Sequence, residues 1–419
     1  MTPRKMMAVV ALVAAATTLA TTAAHAQTPF ALRSVGQRLA DGDARMLGRG
    51  GWGLAVADSL DPGYKNLAST AWVRQLGLSL TGYGEAGSHS SDQGSRRTYR
   101  TYVPDVRVSV PIRKGELAFS AGFKLERGTG WKTKVDSTWT IWEGTDWEET
   151  ITGNAQFERE GSVFKVPLAL AWRPAPAFAG AVALNLERGS LRETLADYFL
   201  TPASGTTYLY RSVIASSEDQ YSGASTTVAG LFLPRPDLRL GVTWTGSHTV
   251  DGHRKTETGG VGGRTYNDFE MKRPAELALG LAAPLGGRWE FGADLRRQDW
   301  RKLVAPVTWS AEAGWQDELV DELQFAFGVE RRRANIRHGG AANLPLRIGA
   351  GWHRWPYRVG GHEIIERSLS VGTGFALKGG NGHLDAALTY GLVGDEADNG
   401  VRSRYVRLAV SVTGLEAWW

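Results

Sequence analysis

The sequence predicts an all-β protein: a transmembrane antiparallel β-barrel of about fourteen strands, with an N-terminal segment lodged inside the lumen. Three observations carry this. The chain opens with an export signal, most of its length alternates apolar and polar residues, and its connections alternate between short and long.

The export signal comes first. Arg4 and Lys5 precede an apolar run from Met6 to about Ala16, and Ala24-His25-Ala26 has the small-x-small pattern of a cleavage site. This reads as a signal peptide over residues 1–26, with cleavage after Ala26. Beyond it, no stretch reaches the roughly 20 apolar residues that a membrane helix requires. The mean hydropathy of −0.25 suits a barrel whose strands face lipid on one side and a polar lumen on the other. With 0 Cys among 419 residues, a disulfide framework and any thiolate nucleophile or metal site are excluded. The formal charge of +5 includes Arg4 and Lys5, so the exported chain is close to balanced. Basic clusters such as Arg331-Arg332-Arg333 are short and read as solvated turns, so no nucleic-acid partner is expected.

The alternation is plain in Leu238, Leu240, Val242 and Trp244 against Arg239, Gly241, Thr243 and Thr245. Successive side chains of a strand point to opposite faces, so each such run has one apolar face. Segments of this kind fall near 75–84, 100–112, 115–126, 162–172, 178–188, 221–233 and 237–249. They continue near 266–283, 288–300, 321–333, 343–354, 366–378, 382–393 and 403–413. Most reach the roughly 9–11 residues that a tilted membrane strand needs.

Short connections, such as Arg113-Lys114-Gly115 and Leu285-Gly286-Gly287, alternate with long ones near 85–99, 127–161, 189–220, 250–265 and 301–320. The connection 334–342 is of medium length. A barrel with both ends in the periplasm places short turns there and long loops outside. Barrel closure also leaves no strand edge exposed to lipid. Domain boundaries follow: 1–26 signal peptide, 27–73 N-terminal hatch or plug, 74–419 barrel.

The hatch expectation rests on the run from Gly48 to Asp58. Its glycines invite a dinucleotide-binding reading, but no βαβ unit surrounds them. Upstream of a barrel, they suit a backbone passing close to the wall. The run Ala44-Arg45-Met46-Leu47-Gly48-Arg49-Gly50-Gly51, then Ala55-Val56-Ala57-Asp58 and Asn66-Leu67-Ala68, resembles the N-terminal signature of the FadL/TodX-like outer-membrane transport proteins. Leu67 stands where that family has Pro. The C-terminal stretches Leu384–Gly391 and Arg407–Val412, and the closing Glu416-Ala417-Trp418-Trp419, look similar to the same family, whose branches include PorV-like proteins. The resemblance implies a fourteen-stranded barrel with a hatch carrying Gly48, Gly50, Gly51, Asp58 and Asn66. It also implies passive uptake of small hydrophobic molecules, fatty-acid-like or aromatic. The alternative within the family is a scaffold or secretion-linked shuttle that binds partner proteins.

Candidate site residues follow from position. Trp131, Trp139, Trp142 and Trp147 fall in the expected loop 127–161, and Tyr198 and Phe199 in the expected loop 189–220, where they would capture an apolar ligand from water. Lys124, Lys165, Glu187, Arg239, Glu276, Glu290, Asp294, Arg296, Arg347, Asp385 and Arg407 are expected to line the lumen, with both signs present. Such a lining reads as an ion-paired wall that anchors a plug. Trp418 and Trp419 are expected to serve as the signal read by the barrel-assembly machinery. Outer-membrane lipids are the other expected partner. No H-E-x-x-H, no G-x-S-x-G and no metal-ligand spacing among the His residues appear, so neither enzyme, metal nor cofactor is expected.

Overall fold

The computed structural model describes residues 28–32, 36–59, 61–92, 94–141, 143–146, 148–199, 213–235, 237–259, 263–304, 319–332, 344–377 and 382–416. The expected signal peptide 1–26, Trp142, Trp147, Trp418, Trp419 and the connection 334–342 lie outside them.

A two-residue strand, β1 (Gln37–Arg38), and a short helix, α1 (Ala44–Gly48), belong to the N-terminal segment. The ring begins with β2 (Leu76–Ser91), β3 (Gly94–Arg113), β4 (Leu117–Ile141) and β5 (Glu149–Ala175). It continues with β6 (Phe178–Phe199), β7 (Val213–Arg235), β8 (Leu238–Thr245), β9 (His248–Thr258), β10 (Arg264–Arg273) and β11 (Glu276–Gly286). Then come β12 (Trp289–Asp299), β13 (Asp321–Arg331), β14 (Leu346–Val359), β15 (His362–Ala376), β16 (Gly382–Val393) and β17 (Arg402–Glu416). β8 and β9 are one stave broken at Gly246, and β10 and β11 are one stave broken before Glu276, because β11 pairs β8 while β10 pairs β9. The ring therefore has 14 antiparallel staves. It closes where β17 pairs β2, from Arg402↔Ser90 to Glu416↔Leu76. Closure gives every stave two neighbours, as hydrocarbon demands. Among the described residues no helix is long and apolar enough to cross a membrane.

The alternation read from sequence sorts as expected. Leu240, Val242 and Trp244 are 41, 41 and 48% exposed on the outer face, whereas their neighbour Arg239 turns inward onto Glu290. The same outward apolar rows run over β15, β16 and β17.

The loops are where expectation and structure part. Residues 127–141 and 149–161 are not loop but continuations of β4 and β5, whose pairing runs on to Ile141↔Glu149. Likewise 85–91 and 94–99 extend β2 and β3, 189–199 and 213–220 extend β6 and β7, and 250–258 belongs to β9. The cause is chemical. These stretches are rich in Thr, Val, Trp and Ile, which favour strands, and beyond the lipid both faces can be polar. Charged residues then meet across strands, as Lys132 does with Glu158 at 3.0 Å. Trp131, Trp139, Tyr198 and Phe199 are accordingly strand residues.

One seam in the wall is open. β3 and β4 pair only from Arg113↔Leu117 up to Asp105↔Lys124. Beyond that level β3 stays with β2, while a bulge between Leu125 and Arg127 turns β4 away. The edge that β3 leaves bare is taken by the N-terminal segment. Gln37 pairs Gly128, Arg38 pairs Arg127, and the Leu39 amide donates to the Glu126 carbonyl at 2.9 Å. A bulge that re-aims a strand thus produces a window, and β1 satisfies the backbone groups it would orphan.

The remainder of the segment lies against the inner wall by backbone contact. Gly50 has φ +83°, and a Cβ there would sit 2.4 Å from the Phe327 carbonyl oxygen. Facing it, a Cβ on Gly349 would sit 2.2 Å from the Arg49 carbonyl carbon, and one on Gly48 2.8 Å from the Gly372 Cα. Only glycine on both surfaces allows this approach.

Candidate functional site

Three features meet inside the ring: an apolar vestibule, an ionic floor and the window. Orientation follows from the two ends, since β4 to β7 run on together in long hairpins at one, whereas Arg113–Leu117, Ala175–Phe178, Arg235–Leu238 and Gly286–Trp289 are short turns at the other. By the short-turn rule that end is periplasmic.

The vestibule is the aromatic interior of the opposite, extracellular half, filled in this structure by its own packed side chains. Inward residues of nearly every stave from β5 to β17 form one buried cluster, including Val163, Leu191, Tyr221, Met271, Trp300, Trp355, Tyr357, Ile364 and Tyr405. Phe30, from the N-terminal segment, is packed among them and is 4% exposed. Its ring meets Trp355 edge-on at 6.1 Å, and the Tyr357 hydroxyl donates to its carbonyl oxygen. The polar handles of these aromatics turn toward carboxylates. Trp355 Nε1 donates to Glu366 at 3.2 Å, Tyr405 Oη to Glu366 at 2.6 Å, and Trp300 Nε1 to Glu322 at 2.8 Å. The walls left behind are apolar.

Below lies the floor. Arg127 stacks over the Trp300 ring at 4.5 Å and its guanidinium also donates to Glu322. Glu126 pairs Lys165 at 2.8 Å, and Glu187 pairs Arg273 at 2.6 Å and His248 at 2.8 Å. Arg38 spans Glu276 at 2.6 Å and Glu322 at 2.8 Å. The cavity beneath, bordered by Arg38, Asp41, Lys65, His353 and Arg407, holds about 70 Å³, room for one or two waters. A charged layer thus separates the aromatic cluster from the periplasmic half of the lumen.

The remaining lumen residues extend this lattice toward the periplasm. Asp41 binds Arg296 at 2.8 Å and Lys124 at 3.0 Å. The Asp294 carboxylate accepts the Gly53 amide at 2.7 Å. Arg347 bridges Glu330 at 3.0 Å and Asp385 at 2.7 Å, and Arg407 binds Glu85 at 2.7 Å. Asp41 and Gly53 join the segment to β12, Arg45 and Arg49 both reach Glu330 of β13, and Arg347 and Arg407 pair within the wall. Asp58 takes Arg45 at 2.7 Å. Asn66 donates to the Leu54 carbonyl at 2.7 Å and the Gly230 carbonyl at 2.9 Å while capping Ala68.

The segment's own acids divide by partner. Burial pushes the Asp41 carboxyl up, but Lys124 and Arg296 outweigh it and hold it well below the usual carboxylate range. Asp43, whose carboxylate caps α1 at the Met46 amide, is raised by burial and by nearby Asp385 from 3.8 to about 6. Burial also raises Asp61. Asp43 and Asp61 border a cavity of about 610 Å³ at the periplasmic mouth. A carboxyl raised in the folded state binds its proton more tightly there, so its contribution is full below its ordinary value and fades as pH rises through about 6. The amides of α1 are expected to be better protected from hydrogen exchange at pH 4 than at pH 7, after correction for intrinsic rates. D43N, which keeps the cap, is expected to remove most of the difference.

The window opens beside the vestibule. Val103, Val106, Phe123, Leu125 and Phe164 gather there with Leu39 and Tyr102. Phe123 and Phe164 also border a cavity of about 1040 Å³ that reaches Arg188, Tyr221, His253 and Phe269. At the upper end of the gap, Arg96 lies over the Trp131 ring at 5.0 Å, and Trp131 packs edge-on against His89 at 5.0 Å. Trp131 thus stands at the window, held from β2 and β3. Trp139 is half-buried higher on β4, and Tyr198 is 36% exposed on β6. Phe199 ends β6. Among the described side chains, Trp131, Trp139 and Tyr198 are not brought into one cluster, and that of Phe199 lies outside them. The vestibule aromatics Phe30, Trp300, Trp355 and Tyr357 were not singled out from sequence. Their signal was present, since Trp355 and Tyr357 continue the inward parity of His353, a residue beyond the expected strand end.

Comparison with known proteins adds the fold. No protein-family model matches the chain, and no curated protein sequence matches it. Solved structures do. The toluene transporter TbuX of Ralstonia pickettii aligns with a TM-score of 0.60 at 16% identity, over 90% of this chain and 99% of its own. The toluene transporter TodX of Pseudomonas putida aligns with a TM-score of 0.59 at 13% identity, over 92% of this chain and 100% of its own. A FadL homologue of Pseudomonas aeruginosa aligns at 0.57 and 14% identity, over 90% and 99%. With its 14-stave ring and whole-length alignment, this chain has the fold of the FadL- and TodX-type outer-membrane barrels.

Proposed function

We propose that this barrel lets small hydrophobic molecules, aromatic or fatty-acid-like, cross the outer membrane passively. The observation that carries the reading is the pairing of a buried aromatic vestibule with an ionic floor and an apolar side window. Apolar surface leaving water gains about 25 cal/mol per Å², so the vestibule attracts such a ligand from the extracellular side. The floor refuses it, because its ion pairs would have to be broken in a dry interior. The window beside the floor is apolar and faces lipid, so the ligand leaves sideways. Residues 27–73 act as the hatch in this reading, with Phe30 holding the ligand's place. The aromatics of the long hairpins, Trp131 and Trp139 foremost, serve as the outer capture surface. The resemblance of the fold to structures titled as toluene transporters and a FadL homologue supports the same cargo class. Export by a signal peptide cleaved after Ala26, and insertion by the assembly machinery through the Trp418-Trp419 end, complete the proposal.

Toluene and hexadecanoate are the probes for reconstituted protein. Each is expected to change the fluorescence of Trp300 and Trp355, isolated by difference against W300F and W355F. Phe30→Ala removes a competitor whose burial is worth about 1.5–3 kcal/mol, so apparent affinity should rise by roughly tenfold. No response of either tryptophan to either probe would overturn the proposal.

A further inference from the structure

We infer that the outer face of β15, β17, β2 and β3 carries a binding site for the phosphorylated headgroup of an outer-leaflet lipid. The site is a row of three arginines. In register across five adjacent staves stand Arg367, Leu392, Arg404, Ser88 and Arg97. All five have outward parity, and the three arginines are exposed. Neighbouring strands lie about 4.8 Å apart, so a guanidinium recurs roughly every 10 Å.

Two properties separate this row from the rest of the surface. First, among the described residues Arg97, Arg367 and Arg404 have no hydrogen bond or ion pair, whereas the other arginines of the outer rim are engaged. Arg297 holds Asp321 at 2.5 Å and Arg354 holds Glu363 at 3.3 Å. Asp395, whose charge reaches Arg367, is itself held by Arg402 at 2.5 Å. Second, the row lies one step above the apolar belt. Directly beneath it, again in register, run Leu369, Tyr390, Val406, Ala86 and Tyr99. Leu369 is 66% and Tyr99 76% exposed. Further down, Val371, Leu388 and Leu408 are 45, 47 and 50% exposed.

An occupant must therefore present several anionic oxygens at one level and apolar chains immediately below. Guanidinium groups pair bidentately with phosphate, and their spacing admits a headgroup with two phosphates rather than one. The periplasmic turns are at the opposite end of these staves, which places the row at the outer leaflet. A bisphosphorylated, multiply acylated glycolipid, the chemistry of lipid A, meets every requirement. A free phosphate meets only the first. The inference depends on membrane placement and is independent of what passes the window.

The test uses the full mature barrel in detergent, with bisphosphorylated lipid A, its dephosphorylated analogue and inorganic phosphate as probes, read by native mass spectrometry. Wild-type protein is expected to retain bisphosphorylated lipid A at about tenfold higher occupancy than the dephosphorylated analogue. Arg97→Gln, Arg367→Gln and Arg404→Gln combined should abolish that preference, while Arg301→Gln, at an exposed and already paired site, should leave it intact. Heat-dependent gel mobility confirms that each variant is folded. Equal retention by the triple variant, or equal binding of the dephosphorylated lipid, would overturn the inference. Displacement by millimolar inorganic phosphate would also overturn it, by showing a phosphate site rather than a lipid site.

Discussion

Replacing Arg38 by methionine will destabilise the barrel by about 3–5 kcal/mol. Arg38 lies on β1 with its side chain 7% exposed, between Glu276 and Glu322, which are 20 and 3% exposed. Methionine fills similar volume, so the packing loss is small. The loss comes from two buried carboxylates each deprived of one cation, Glu276 keeping Arg296 at 3.4 Å and Glu322 keeping Arg127, His353 and the Trp300 Nε1–H. The expected readout is a fall in the urea midpoint with an unchanged slope, together with loss of heat-modifiable gel mobility at lower temperature. The variant carrying R38M, E276Q and E322Q removes the orphaned charges and should recover more than half of the deficit. If R38M alone were neutral, Arg38 would not be anchoring the segment to β11 and β13.

Val103→Trp will reduce uptake of toluene by reconstituted protein at least tenfold while leaving binding in the vestibule unchanged. Val103 is half-buried at the window, packed against the cluster that includes Tyr102 and Leu125. An indole there fills the gap that β3 and β4 leave above Asp105↔Lys124. A tenfold loss corresponds to about 1.4 kcal/mol in the barrier, a small demand for an obstructed passage. Val135→Trp is the control, since Val135 is 53% exposed far along β4. Unchanged flux through the filled window would mean that the ligand leaves by another route.

The two predictions differ in how visible their basis was in the sequence. The wall was legible because alternation reports the two faces of a strand directly. Arg239 against Leu240 and Arg407 against Leu408 are enough to assign lumen and lipid. The close approach of the N-terminal segment to the wall was legible in part. Gly48, Gly50 and Gly51 announced close backbone approach, but their counterparts Gly328, Gly349 and Gly372 sit in three different strands, and only the register brings them together. Strand ends were read too short wherever lipid no longer faces the strand. Beyond the membrane, Lys132-Thr133-Lys134-Val135 has no apolar side, so a pattern that depends on apolar contrast stops while the hydrogen-bonded ladder continues. This misplaced Trp131 and Trp139 into a loop.

The vestibule and the window were illegible for separate reasons. An inward aromatic such as Trp355 has the same composition signal as a lipid-facing one, and parity distinguishes them only if the strand is followed past its apparent end. Phe30 lies ahead of every recognisable motif. The window comes from a single extra residue between Leu125 and Arg127, and no local composition marks that bulge.

The hold that β5 and β1 have on β4 bears on how far the proposed window could move. β4 is bonded to β5 along its whole length, and its other edge, once free of β3, is bonded to β1. It cannot swing back to seal against β3 without first surrendering the bonds to Gln37 and Arg38, whose side chain is itself locked by two carboxylates. Next to Glu126, Arg127 and Gly128 the opening is therefore tied in place, an aperture more than a valve. If solutes cross by the proposed route, the choice between them falls upstream, where a molecule would take the place of Phe30.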